Sequence, residues 1–356
     1  MTSADPALSP AEADAVVARR LAQITPPELP ERAAGVRPVV VLIGGQPAAG
    51  KTTIQELVQA ALDADRTASY DFDDDPPAHP RYDAIMRANG IRGNEIVDES
   101  LPPDLRRRCL DHLRTGDTRY DVVASAPMQS EDAARQWADG FRDAGYRVTV
   151  VYVATDDANS LLGVANRYQQ ARDDTGIGRW VKPAHHDHAY RGVPDAAHAL
   201  ESQGYVDDIY VVDRDGQVLF ENHRNADGSL QYPPGAREAI VAERNRPPTP
   251  VERDRFLATA LPLRQRDPAL PPLEEPVDDA IRDAMRREAQ RGGPQPSPRE
   301  PSAEAGLDQR LLDLQRITGA GLAPARTITP PPTGSSRPDP ARGSTGRSPE
   351  TGPRDR

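Results

Sequence analysis

The chain of 356 residues has one cysteine, two tryptophans and four phenylalanines, and no run of eighteen apolar residues that could span a bilayer. Each shortage excludes something. The single cysteine, Cys109, can form no intramolecular disulfide; it lies in "DLRRRCLDHL", whose spacing is helical, and with no His or Asn assignable to it, it reads as a buried bystander thiol. So few aromatic rings leave little for a base-stacking platform, which weighs against single-stranded nucleic acid as a ligand. Excess positive charge is missing as well. The formal net charge is -11 and the pI is near 5.2, so no global field draws nucleic acid or an anionic membrane, and any anion site must be local. The first residues, "MTSADPALSPAEADAVVARRLAQ", are acidic and Ala-rich without the charged-then-apolar profile of a signal peptide, so a cytoplasmic location is expected.

What the chain has in plenty is proline. Of its 37 prolines, 20 fall from Pro247 onward, within the last 110 residues. Proline removes backbone donors and fixes φ, so a second packed domain is not expected there. Four stretches follow from the patterning. Residues 1–36 hold one helix, "PAEADAVVARRLAQI", with Ser9 as N-cap and Pro10 in the first turn. Residues 37–232 alternate apolar runs with amphipathic stretches: "PVVVLIG" (38–44), "YDVVASA" (120–126), "RVTVVYVAT" (147–155) and "DIYVVD" (208–213) read as buried strands. This repetition predicts an α/β fold, a parallel sheet with helices on both faces, closed by a hairpin turning at Asp215-Gly216. Residues 233–292 offer three short helices joined by Pro-rich links, and 293–356 read as a largely disordered tail in which only "SAEAGLDQRLLDLQRI" has helical periodicity.

"GQPAAGKT" matches G-x-x-x-x-G-K-[ST] from Gly45 to Thr52, between a strand and an amphipathic helix, which is the setting its mechanism requires. The loop Gly45, Gln46, Pro47, Ala48, Ala49, Gly50, Lys51, Thr52 and Thr53 is therefore a candidate ATP site. Its N–H groups and the positive helix end would cradle phosphate, Lys51 would neutralise β/γ charge, and the Thr52 hydroxyl would ligate Mg²⁺. Transfer of a phosphoryl group to a hydroxyl further needs a carboxylate beside the phosphates and arginines around the moving charge. "ASYDFDDDPP" stands where the strand after the loop helix should end. Alternation puts Asp71 and Asp73 on one side, while Asp74 and Asp75 enter the turn before Pro76 and are expected to be solvated. Arg167, Arg172 and Arg179 are the arginine candidates, Arg179 following the glycine-bearing "DDTGIG".

The order of "GGQPAAGKTT", "YDFDDDPPAHPRYD", "VYVATDDANSLLGVANRY", "GRWVKPAHHD" and "GYVDDIYVVDRDG" resembles the zeta toxin family of toxin-antitoxin systems, over residues 37–222. The resemblance implies a P-loop kinase that uses ATP and Mg²⁺ to phosphorylate a UDP-N-acetylhexosamine. It places the phosphate lysine on Lys51 and the D-x-D pair on Asp71 and Asp73, with Pro80 six residues further on and His79 beside it. Asp73 is then the general base. Arg167 and Arg179 become the paired arginines, one residue closer together than the family spacing leads one to expect. It also implies a small helical antitoxin that blocks the ATP site.

One departure matters. The family commonly has "E-G-T" where this chain reads Ser125, Ala126 and Pro127, and Gln129 stands where an arginine is common. A serine hydrogen-bonds but supplies no charge. Either metal geometry leans on Thr52 and Asp71, or the acceptor has changed, or activity is reduced. Two alternatives stay open on that account: a kinase of another small molecule, similar to chloramphenicol phosphotransferase, and an ATP-binding partner protein with weakened catalysis. "HHDH" (185–188) has no partner ligands at metal spacing and reads as surface or packing. "LRRRCL" (105–110) reads as a solvated helix face, Trp137 as core and Trp180 as a lid residue.

Overall fold

The computed structural model describes residues 5–116, 118–293 and 313–318, so most of the expected tail, 293–356, lies outside the described residues. Its helical candidate is represented by residues 313–318 alone, which are helical.

The chain opens with helix α1 (Pro10–Ile24), where Ser9 and Glu12 form a reciprocal capping box that satisfies first-turn donors. Strand β1 (Val39–Gly44) leads through the phosphate loop into α2 (Lys51–Ala61) and back through β2 (Thr67–Asp71). Helices α3 (Tyr82–Asn89), α4 (Gly93–Ser100) and α5 (Leu105–Thr115) precede β3 (Asp121–Ser125). Then come α6 (Glu131–Asp143), β4 (Arg147–Val153), α7 (Asp157–Thr175), α8 (Pro183–Ser202), and the hairpin of β5 (Asp208–Val212) and β6 (Val218–His223). Three further helices follow, α9 (Ala236–Asn245), α10 (Pro250–Arg264) and α11 (Glu275–Gln290).

The strands form one sheet in the order β2-β3-β1-β4-β5-β6, parallel except for β6. The predicted α/β architecture is met: each apolar run read as a strand is one, because strands buried on both faces need no alternation. One face packs against α1, α5, α6 and α8 through residues such as Leu42, Tyr70, Phe141 and Tyr152. The opposite face buries Ile43, Ile54, Val58 and Tyr210, and Ile317 joins it. A separate apolar cluster joins α7 to α10 and α11 through Leu161, Tyr168, Phe256 and Ile281. Cys109, on α5, is fully buried in the first of these clusters, and burial pushes its thiol up to about 12, as expected of a bystander. Among the described residues, no helix is long and apolar enough to cross a membrane.

Candidate phosphoryl-transfer site

At the carboxyl ends of β1, β2, β3 and β4, the sheet presents a phosphate loop on one side and a cluster of acids and arginines on the other. In an open parallel sheet this edge is where ligands bind. No side chain caps α2, so its first N–H groups and positive dipole end point at the loop's hollow. The loop turns through Gly50 at φ 108° and through Ala48 at φ 57°, a left-handed conformation that a residue with a side chain adopts only where its surroundings impose it. They do so here. Thr155 Oγ1 donates to Ala49 O at 2.7 Å, and Gly163 lets α7 come so near that a methyl there would meet the Ala48 side chain at 3.0 Å. Lys51 Nζ folds back onto Gly45 O (3.0 Å) and Gln46 O (3.2 Å). Burial pulls its pKa down while Asp73 and Asp71 pull it up.

Asp71 ends β2, paired in register with Ser125 of β3, and its Oδ1 accepts the Asp73 N–H at 2.9 Å. That bond caps a single 3₁₀ turn over residues 72–74, so Asp71 and Asp73 share one cavity by a capped turn rather than by strand alternation. The cavity, about 490 Å³, also holds Thr52, Arg167 and Arg179. Arg179 Nη1 lies 2.9 Å from Asp73 Oδ1 and donates to Asp73 O at 2.8 Å; Arg167 Nη1 lies 3.7 Å from Asp73 Oδ2. Arg172, the third candidate, turns away and pairs with Glu274 before α11. Burial first, and the neighbouring Asp73 second, hold the Asp71 carboxyl above its ordinary range. The Ser125 hydroxyl beside it is fully buried, and its interaction with the Asp71 carboxylate only partly offsets that rise. An acid short of compensating charge, sharing a cavity with the Thr52 hydroxyl, is a set of oxygen donors that suits a hydrated divalent cation held with phosphate oxygens.

Asp75 departs from expectation. It is buried, its Oδ1 takes the Arg20 Nε hydrogen bond at 2.8 Å and its Oδ2 that of Tyr70 Oη at 2.8 Å. It ties α1 to β2 instead of facing water, because Pro76 and Pro77 fold the turn inward onto α1. Asp74 is exposed, as expected. Trp180 is no free lid: it is 7% exposed and packs edge-on against Tyr168 at 5.4 Å. It borders a second cavity of about 210 Å³ that contains Lys51, Asp73, Asn94, Asp98 and His185. Sequence reading missed Asn94 and Asp98, which a helix of mixed composition gave no reason to single out. On the far side of the loop, a third cavity of about 470 Å³ lies between α7, the β5–β6 turn and α10, with Asp213, Arg214, Arg246 and Arg255 on its walls. Among the described residues no group of three or more His, Cys, Asp or Glu is arranged as metal ligands, and His186 of "HHDH" is fully buried against Ser160.

Comparisons with known proteins point the same way. The family model described as Zeta toxin matches residues 28–225. Toxin zeta of Enterococcus hirae is 26% identical over 211 residues, 59% of this chain and 70% of that protein. Toxin PezT of Streptococcus pneumoniae serotype 4 is 24% identical over 192 residues, 53% of this chain and 74% of that protein. Among solved structures, a chain from the PezAT chromosomal toxin-antitoxin system of Streptococcus pneumoniae superposes with a TM-score of 0.60 at 19% identity, covering 73% of this chain and 98% of that one.

Proposed function

From the premise that the chain belongs to the zeta toxin family, whose members are P-loop phosphotransferases, we propose that it transfers the γ-phosphoryl group of ATP to a sugar hydroxyl of a UDP-N-acetylhexosamine. The observation that carries the reading is Asp73, held between Arg167 and Arg179 at the mouth of the phosphate loop. In this reading the triphosphate lies along Gly45 to Thr53, with its nucleoside toward the cavity beside Arg214 and its γ-phosphoryl toward Asp73. The acceptor occupies the cavity bordered by Asn94, Asp98 and Trp180.

Asp73 takes the hydroxyl proton as the acceptor oxygen bonds to the γ-phosphorus; the bond to the β-γ bridging oxygen breaks, and ADP leaves. Both guanidinium groups contact the Asp73 carboxylate. A triphosphate offers them more negative charge, so they pass to the moving phosphoryl group and free the carboxylate to act as base. Lys51 leaves the loop carbonyls for phosphate oxygens in the same way. Thr52 and Asp71 would hold Mg²⁺, which supplies charge compensation for the β- and γ-oxygens. The relative from Streptococcus pneumoniae is described as part of a toxin-antitoxin system, which supports a small protein partner here too.

Purified protein given ATP and UDP-N-acetylglucosamine should yield ADP and a phosphorylated sugar nucleotide; ADP without that product would overturn the acceptor assignment. Ser125 favours a second reading with the same donor and another acceptor, since the carboxylate common at this place in the family is absent. A screen of hydroxyl-bearing acceptors read by mass spectrometry separates the two. Tight ATP binding with no transfer to any acceptor would instead identify a binding protein.

A further inference from the structure

Behind the phosphate loop lies a buried polar assembly that the proposed transfer does not use. Gln46, the second residue of the loop, is fully buried and turns its side chain away from the phosphate hollow. Its Nε2 donates to Thr155 O (2.6 Å) and Ser160 Oγ (3.3 Å), and its Oε1 accepts from Arg244 Nη2 (2.7 Å). Arg244 stands on α9, outside the stretch 28–225 that the family model matches. Its side chain is almost wholly enclosed: Nη1 donates to Tyr190 O at 2.7 Å, and the guanidinium lies 4.1 Å from the centroid of the Tyr190 ring. Nε is buried without a partner, and burial brings the guanidinium down to about 10. A buried cation with no bonded carboxylate is costly, so its position calls for a reason.

A second arm reaches the same amide. His186, whose pKa burial lowers, places Nδ1 3.0 Å from Asp187 Oδ1 and Nε2 2.8 Å from Ser160 Oγ; the Ser160 hydroxyl donates to Asp156 O at 2.8 Å, and its oxygen accepts from Gln46. Arg287 of α11 holds Asp187 at 3.0 and 3.1 Å. The constellation has the partners of a nucleophilic triad, yet Ser160 and His186 are both fully enclosed, so it orients rather than attacks. α9 and α11 thus both reach the phosphate loop at Gln46.

We propose that Arg244 is a positioning residue for the donor nucleotide: by fixing Gln46 it holds the loop's backbone N–H groups in their anion-binding arrangement, making α9 part of the donor site. The inference rests on the reading that this loop binds ATP. Two physical effects support it. Gln46 O accepts both the Ala49 N–H (3.2 Å) and Lys51 Nζ, so the orientation of its peptide sets the loop's hollow, and Ala48 at φ 57° persists only where neighbours over-determine it. The guanidinium, which Asp156 and Asp157 offset only from a distance, also adds positive potential behind the loop, favouring a bound polyphosphate.

The test is calorimetric titration of ATP, without acceptor, into full-length wild type, Arg244→Ala, Gln46→Ala and the double variant. Arg244→Ala should weaken ATP by about tenfold or more, the scale of a lost hydrogen bond to a charged group. The double variant should bind no more weakly than the weaker single, since Arg244 acts through Gln46. In turnover, KM for ATP should rise with kcat at saturation nearly unchanged, and Arg244→Lys should recover part of the affinity. A merely structural arginine would lower the melting temperature and leave affinity alone. A folded Arg244→Ala protein with wild-type affinity, or additive losses, overturns the inference. Should Arg244→Ala fail to fold, wild-type affinity in both Arg244→Lys and Gln46→Ala overturns it equally. Wild type that binds no ATP would sink the donor reading itself.

Discussion

Asp73 and Asp75 lie two residues apart, and each is paired with arginine, but one faces a cavity and the other the inside of the protein. Asp73 shares its oxygens with Arg167 and Arg179, whose side chains are 44% and 19% exposed, so the pairing can be exchanged for a ligand. Asp75 and Arg20 are both nearly enclosed, with Tyr70 as a third partner, and nothing can enter to replace either. The same chemical pair is a switchable contact in the first place and a fixed tie between α1 and β2 in the second. Exposure, more than partner identity, separates the two.

Substitutions across this acidic turn should break or sharpen that contrast. The largest effect is expected for Asp73→Asn: kcat should fall by about 10²–10⁴-fold, the range for loss of a general base, while ATP binding measured by titration persists. Unchanged turnover would remove Asp73 from the base role. Asp75→Asn should cost about 3–5 kcal/mol of stability by leaving Arg20 buried without its counter-charge, seen as a lower denaturation midpoint with kcat per folded molecule preserved. Loss of activity without loss of stability would mean that Asp75 belongs to the cavity after all. Asp71→Asn should raise the Mg²⁺ concentration needed for half-maximal turnover. In wild type that requirement should also climb as pH falls, because a carboxyl already held above its ordinary range protonates sooner. Asp74→Asn should be the mildest, within about 0.5 kcal/mol in stability and with turnover nearly unaffected, because Asp74 is exposed at the rim of the cavity.

The contrast also marks where sequence reading succeeds. The position of the loop between β1 and α2 is legible because its cues are local: glycines, a lysine and a hydroxyl at fixed spacing between an apolar run and an amphipathic stretch. The strands were legible because apolar runs are dense where a sheet is covered on both faces. Asp75 was misread because local cues, a polar turn before two prolines, say nothing of Arg20, 55 positions away on α1. Gln46 was rightly placed in the loop, yet its side chain serves Arg244, 198 positions away, and no spacing rule spans that distance. The period-two argument placed Asp71 and Asp73 together, whereas the chain achieves this with a capped 3₁₀ turn. His186, read within "HHDH" as surface or packing, does pack, but its partner Ser160 lies 26 positions away and no local cue names it.

The apolar cluster that joins α7 to α10 and α11 has a practical bearing on how the chain is divided. The match to the family model ends at residue 225, but Leu161, Leu162, Val164, Tyr168 and Trp180 are covered from residues 256–284. A fragment cut at the end of the matched stretch would bare this continuous greasy face along α7, and contiguous apolar surface of that kind drives self-association. Such a fragment should aggregate during preparation, and its lack of activity would then reflect insolubility, not chemistry.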